Sequence, residues 1–150
     1  MPISSSLLKK PKLVKKLKDF YTYVQNNNGQ VGTKTRGIDL NFNNACNLRC
    51  KYCFTNSPKG DHVKDFLPIP KLKEIADEAD ELGFLEWDLQ GGELLLRPDR
   101  LFEALDAIKP DRFYLYVTTN GFKVDRKMIK ELGKHGVSRM SVSLDSMDPE

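Results

Sequence analysis

Apolar and polar residues alternate in four separate stretches of the chain, and a period of two residues predicts a β-strand in each. The first stretch covers residues 37–42, and the other three are marked by alternating apolar positions further along the chain. These positions are Leu85, Trp87 and Leu89, then Phe113, Leu115 and Val117, then Met140, Val142 and Leu144.

Between the predicted strands, apolar residues recur three and four positions apart, which predicts helices with one face on a core. Pro70 and Gly83 suit the first turn and the end of the first helix, and Asp125 suits the cap of the third. The expected inward positions are Ile69, Leu72, Ile75, Ala76, Ala79 and Leu82, then Leu101, Leu105 and Ile108, then Met128, Ile129 and Leu132.

Strand and helix therefore alternate as β, α, β, α, β, α, β. This order predicts an α/β fold with right-handed crossovers and a parallel sheet, either open or closed into a barrel. In such sheets ligands bind at the carboxyl ends of the strands. Polar or glycine-rich clusters follow all four strands, at residues 46–53, 90–93, 118–121 and 143–145. Each glycine cluster alone fits an ordinary turn, but their shared position predicts one binding site.

The segment before the first strand predicts an amphipathic helix. Leu13, Leu17, Phe20, Tyr21 and Val24 share one face, and lysines cover the other. We expect the apolar face to dock on the body and the lysine face to be solvated. A helix that binds a membrane surface or a peptide is the alternative.

Composition and charge narrow the class of protein. The chain has 150 residues, 39% hydrophobic and 30% charged, which fits a soluble globular protein. No run approaches the roughly 18 apolar residues of a membrane span, and we expect no signal peptide, because only a two-residue apolar patch precedes the first lysines. Residues 1–20 carry six lysines and one acid, a net +5; the total is +3, so the remaining residues sum to −2. A large nucleic-acid interface is therefore not expected.

All three cysteines lie within eight positions, as Cys46, Cys50 and Cys53. Three thiols cannot all pair as disulfides, and clustered thiols indicate a metal in a cytoplasmic protein. Zinc would need a fourth ligand, and neither His62 nor His135 has the usual spacing. Buried, inert thiols do not suit so polar a segment. A 4Fe–4S cluster fits better, because three thiolates leave one iron open for chemistry.

The sequence Cys-x-x-x-Cys-x-x-Cys, with Tyr52 before the last cysteine, resembles the cluster loop of the radical S-adenosylmethionine (SAM) superfamily. Gly91-Gly92-Glu93 after the second strand and Ser143-Leu144-Asp145 after the fourth extend the resemblance over residues 36–150. It implies a partial six-unit (β/α) barrel with parallel strands, of which about four β/α units are present. It also implies two cofactors, a 4Fe–4S cluster and SAM.

The resemblance further implies the role of each site residue. Three thiolates, from Cys46, Cys50 and Cys53, hold the cluster, and the open iron chelates the amino and carboxylate groups of SAM. Glu93 accepts a hydrogen bond from the SAM ammonium. The other cofactor-binding residues implied are Tyr52 near the adenine, Gly91 and Gly92 near the methionine, Ser143 and Asp145 near the ribose, and Thr119 and Asn120 at the border of cofactor or substrate.

The activity implied is reductive cleavage of SAM to a 5′-deoxyadenosyl radical, which abstracts hydrogen from a substrate in oxidoreductase-like or isomerase-like chemistry. The motif wording resembles the branch with a C-terminal SPASM or twitch extension, and an electron donor such as flavodoxin or ferredoxin is implied. A peptide or protein side chain is the substrate we expect first, and a small metabolite second. A non-catalytic iron–sulfur or zinc module is the alternative of another class.

The predicted organisation is an N-terminal helix and loop over residues 1–35 and a radical SAM core over residues 36–150. The last three residues, Asp148-Pro149-Glu150, read as the start of another helix. We therefore expect the chain to be the front part of a longer protein.

Overall fold

A computed structural model describes residues 7–32, 34, 36–55, 57 and 66–146 of the chain. His62 and the predicted helix start at 148–150 lie outside the described residues. No helix within those ranges combines the length and the apolar character needed to cross a lipid bilayer.

The strands are β1 (Gly37–Asn43), β2 (Glu86–Gly91), β3 (Tyr114–Thr119) and β4 (Arg139–Val142). The helices are α1 (Pro11–Asn26), α2 (Ile69–Glu81), α3 (Pro98–Ile108) and α4 (Arg126–Lys134).

The four strands form one sheet in the order β1-β2-β3-β4, and every neighbouring pair is parallel. Each helix from α2 to α4 connects one strand to the next. The predicted α/β fold is confirmed, and its parallel β/α units agree with the partial barrel that the resemblance implies. All four carboxyl ends consequently lie at one edge of the sheet.

The core lies between the helices and one face of the sheet. Trp87, Leu89, Leu115 and Val117 are fully buried there, and they form one cluster with inward side chains of α2, α3 and α4. The side chains that alternate with them point to the opposite face, where burial is partial. That face is polar and is called here the polar sheet face; it consists of Asp39, Asn41, Glu86, Asp88, Gln90, Tyr114, Tyr116, Thr118, Arg139 and Ser141.

Four positions that we predicted to face inward are exposed instead. Leu82 lies beyond the last turn of α2 and is 72% exposed, because the helix ends before it. Ile129 of α4 is half exposed, at the rim of an open apolar groove with Leu132 and Met140. The fourth strand ends at Val142, so the predicted alternation through Leu144 is wrong, and Val142 and Leu144 are both exposed.

The N-terminal helix docks at the amino ends of the strands, and Leu13 is fully buried there. Tyr21, predicted on its apolar face, is 62% exposed. The expectation of a solvated lysine face is wrong for Lys16, whose ammonium donates to Asp80 Oδ1 (2.9 Å) and to the Phe84 carbonyl (2.8 Å).

Lys10, directly before α1, is buried as well. Its ammonium donates to the carbonyls of Phe113 (3.0 Å) and Gly136 (2.6 Å) and to Ser138 Oγ (2.8 Å). These acceptors lie at the starts of β3 and β4. Lys10 therefore joins the N-terminal segment to the sheet through hydrogen bonds that a hydrocarbon side chain cannot make.

We predict that Lys10→Met lowers the free energy of unfolding by about 1–3 kcal/mol, because buried acceptors lose their donor. Lys12→Met is the matched control, since Lys12 is exposed and makes only a surface ion pair with Asp111; surface pairs contribute little. Urea unfolding of both variants measures the difference. Equal stability of the two variants would contradict the anchoring role.

We also predict that the stabilising effect of Lys10 depends on pH. Burial lowers the pKa of Lys10 from 10.5 to about 8. Between those values the unfolded chain binds more protons than the folded chain, so the contribution of Lys10 to stability rises with pH. The difference in unfolding free energy between wild type and Lys10→Met should therefore widen above pH 8, as followed by urea unfolding at several pH values. A narrowing gap would contradict it.

Candidate functional site

The cysteine loop begins at an irregularity in β1. Asn41 pairs with Gln90, but the next pairing joins Asn43 to Gly91, so Phe42 is an extra residue on the β1 side. Such a bulge re-aims the strand that carries it. Phe42 and Asn43 are both buried as a result, and the chain turns from there into the segment with the three thiols.

Gly91 and Gly92 lie directly against the segment that leads into the cysteine loop. A Cβ at Gly91 would collide with the Asn43 carbonyl, and a Cβ at Gly92 would collide with the Ala45 carbonyl. The amide of Gly92 donates to Asn43 O (2.8 Å), and the amide of Glu93 donates to Ala45 O (2.6 Å). Glycine is thus required at both positions because the backbone of residues 43–45 passes within hydrogen-bonding distance. From the sequence we expected both glycines to lie near the methionine of SAM.

An open cleft of about 190 Å³ lies at the carboxyl ends of the strands. The structure brings ten of the eleven predicted site residues to its walls. Gln90, Thr118 and Leu48, which fall within the predicted strand-end clusters but received no role, also line the cleft. Phe54 and Thr55 line it as well, and we did not predict them. The predicted residues in the cleft are Cys46, Cys50, Tyr52, Cys53, Gly91, Gly92, Thr119, Asn120, Ser143 and Asp145.

Glu93 is the exception. It is 1% exposed and lies behind the cleft wall. Its Oε1 accepts hydrogen bonds from Leu95 N (2.8 Å) and Thr119 Oγ1 (2.7 Å), and its Oε2 accepts one from Asn120 N (2.7 Å). This carboxylate caps the short 3-10 turn Leu94–Leu96 and joins the end of β2 to the end of β3.

Two of the three thiols make hydrogen bonds within their own loop. Leu48 N donates to Cys46 Sγ (3.4 Å), and Thr55 Oγ1 lies 3.1 Å from Cys53 Sγ. The Thr55 hydroxyl, followed by the backbone of Ser57, lowers the pKa of Cys53 to about 7. Thiolate is the form that binds metals, so the loop favours the chemical state that a ligand needs. Hydroxyls two and four residues after a cysteine are the only sequence signal for this effect.

Tyr52 spans the mouth of the cleft. Its hydroxyl donates to Asp145 Oδ2, beyond the end of β4, although its ring is 69% exposed. This hydrogen bond raises the pKa of Tyr52 to about 12, so the phenol stays protonated. Ser143 is placed beside the end of β3, because its amide donates to Thr119 O (2.9 Å).

Three thiols on one loop line the cleft, and they form a donor set for a metal centre. Within the described ranges, no three Cys, His, Asp or Glu side chains gather around one point. A 4Fe–4S cube takes its thiolates at separate corners, which suits three thiols spread along one cleft. His135 is engaged elsewhere, with Nδ1 2.7 Å from Asp106 Oδ1 and its ring stacked on Phe102.

The profile of the Radical SAM superfamily matches residues 40–150. The match covers most of the chain, so the chain belongs to the radical SAM superfamily. Its cofactors are those of the family, a 4Fe–4S cluster and SAM.

Several similar curated proteins are named GTP 3′,8-cyclases. The chain is 34% identical to the probable GTP 3′,8-cyclase of Methanococcus maripaludis strain C7 over 81% of this chain and 40% of the relative. It is 38% identical to the GTP 3′,8-cyclases of Trichodesmium erythraeum and Rippkaea orientalis, over 75% of this chain and 35% of each relative. The chain thus spans two fifths or less of the length of these relatives.

We predict that Glu93→Ala lowers the free energy of unfolding by about 3 kcal/mol, because three donors lose a buried carboxylate. The control is Glu103→Ala on α3, where the carboxylate makes an exposed pair with Arg100 and removal costs about 0.5 kcal/mol or less. Chemical unfolding of the two variants without added cofactor isolates this structural role. Similar stabilities would show that the buried hydrogen bonds of Glu93 contribute nothing.

Proposed function

We propose that the protein is a radical SAM enzyme whose active site is the cleft at the carboxyl ends of the strands. The observation that carries the proposal is the shared cleft: three thiols on one loop face glycine-rich and polar residues from the ends of β2, β3 and β4. When bound, the cluster and SAM supply a reductively generated 5′-deoxyadenosyl radical that abstracts hydrogen from substrate. The chain supplies the ligands, the positioning and the exclusion of water.

In this proposal Cys46, Cys50 and Cys53 each bind one iron. Support comes from the donor count, since the chain has three cysteines, all on the cleft wall. The fourth iron remains for the amino and carboxylate groups of SAM. The hydrogen bond between Thr55 and Cys53 lowers the pKa of the Cys53 thiol and so favours thiolate at that ligand.

The remaining residues receive roles according to the wall on which they lie. Tyr52 offers an exposed ring for the adenine, and Asp145 and Ser143 lie across the mouth as partners for the ribose. Thr119 and Asn120 also line the cleft, where they would border the cofactor or the substrate. Contact between Glu93 and the SAM ammonium stays a prediction, and it requires one of the three present donors to give way. Without such a change, Glu93 supports SAM by fixing the wall formed by Gly91 and Gly92.

We propose a small polar metabolite as the substrate. The named relatives act on GTP, and this favours our second expectation over a peptide or protein side chain. The polar sheet face supports the proposal, because Gln90 and Thr118 carry its hydrogen-bonding groups into the cleft. A SPASM extension, a flavodoxin or ferredoxin donor and a cytoplasmic location are parts of the same proposal that rest on the sequence.

The anaerobically reconstituted protein should bind about four irons per chain, and Cys50→Ala should lose most of them, because one corner of the cube loses its ligand. Lys51→Ala is the control, since it alters the neighbouring exposed residue without removing a thiol. Iron analysis and electron paramagnetic resonance (EPR) of the reduced proteins measure the loss. A full 4Fe–4S signal in Cys50→Ala would contradict the proposed site.

Ribose-deuterated GTP should transfer deuterium into the 5′-deoxyadenosine that the loaded protein forms with SAM and dithionite, because the abstracted hydrogen moves from substrate to that product. Mass spectrometry of the 5′-deoxyadenosine measures the transfer, with unlabelled GTP as control. Cleavage of SAM without deuterium transfer from GTP would exclude GTP as the substrate, but it would still support the proposed radical SAM activity. Transfer from a deuterated peptide instead would restore the peptide alternative.

A further inference from the structure

Asn120 follows β3 and reaches across the cleft to the cysteine loop. Its backbone amide donates to Glu93 Oε2 (2.7 Å), and its Oδ1 accepts a hydrogen bond from Phe122 N (3.0 Å). A backbone amide is always a donor, so the atom that faces Phe122 must be the oxygen. The amide nitrogen of the side chain is therefore the atom directed at the loop.

That nitrogen meets the loop beside its first thiol. Asn120 Nδ2 donates to Asn47 Oδ1 (2.9 Å) and lies 4.0 Å from Cys46 Sγ. The two partners are neighbours in the chain but lie more than 70 residues from Asn120. The side chain of the residue directly after β3 thus fixes the end of the loop that holds Cys46.

Resting on the proposed function, we propose that Asn120 is a positioning residue that holds Cys46 in place and, through an N–H donated toward its sulfur, raises the reduction potential of the cluster. Reduction adds one electron, supplied by an external donor such as dithionite, and no bond forms or breaks. The added negative charge is shared by the sulfurs, so a donor at sulfur stabilises the reduced state more than the oxidised state.

Glu93 completes the arrangement from behind the wall. Because its carboxylate holds both Thr119 and the amide of Asn120, the end of β3 has a fixed position relative to the end of β2. The segment before the cysteine loop is bonded to Gly92 and Glu93 as well. The loop is therefore held at its start by backbone amides and near Cys46 by the side chain of Asn120.

Asn120→Asp tests the proposal, since aspartate keeps the oxygen that accepts from Phe122 and replaces only the nitrogen donor. Asn41→Asp is the matched control: Asn41 Nδ2 bonds Asn44 Oδ1 (2.9 Å), so the same substitution removes another loop contact and adds the same charge. Asn120→Ala removes the donor without adding charge. Iron content, circular dichroism and an EPR-monitored dithionite titration of all three proteins are compared with wild type.

We expect Asn120→Ala to lower the equilibrium constant for cluster reduction about fivefold, the effect of one net hydrogen bond. Asn120→Asp should lower it further, and by more than Asn41→Asp. Loss of iron from folded Asn120 variants, with iron retained in Asn41→Asp, would support the positioning role equally. A wild-type reduction potential in cluster-loaded Asn120 variants, or an equal shift in Asn41→Asp, would overturn this inference. Neither result would contradict the proposed function. A wild-type chain that binds no cluster would overturn the proposed function and the inference together.

Discussion

The contact on which the site depends is the close approach between the end of β2 and the backbone of residues 43–45. The amides of Gly92 and Glu93 donate to the carbonyls of Asn43 and Ala45, and no side chain larger than hydrogen fits at either glycine. The bulge at Phe42 brings the β1 side into position for these bonds. Because backbone atoms make the contact, the cysteine loop starts from a point fixed by the sheet itself.

Glu93 extends this contact from two strands to three. A buried carboxylate without hydrogen bonds is very costly, and here three donors from the 3-10 turn and the end of β3 meet it. The cost of burial is offset only while all three donors stay in place. The charge therefore enforces one arrangement of the strand ends, and this arrangement sets the distance between the cysteine loop and Asn120.

The periodic parts of the sequence predicted the fold because burial follows the same periods. Trp87, Leu89, Leu115 and Val117 alternate with polar residues and are buried, and the helix that starts at Asp125 is capped by the Asp125 side chain. Ten of the eleven residues predicted for the site line one cleft, partly because the carboxyl ends of parallel strands meet at one edge.

The predictions that were wrong concern the burial and the contacts of single side chains, which depend on residues far away in the sequence. Ile129 follows the helical period but faces an open groove, and Lys16 lies on the charged side of its helix yet finds Asp80 and a carbonyl. The position of Glu93 was unpredictable for the same reason. Its sequence motif gives a carboxylate after two glycines, but two of its three donors come from residues 26 and 27 positions further on. Only the packing of β3 beside β2 turns that carboxylate away from the cleft and into the wall, where it acts on the thiol loop through Asn120.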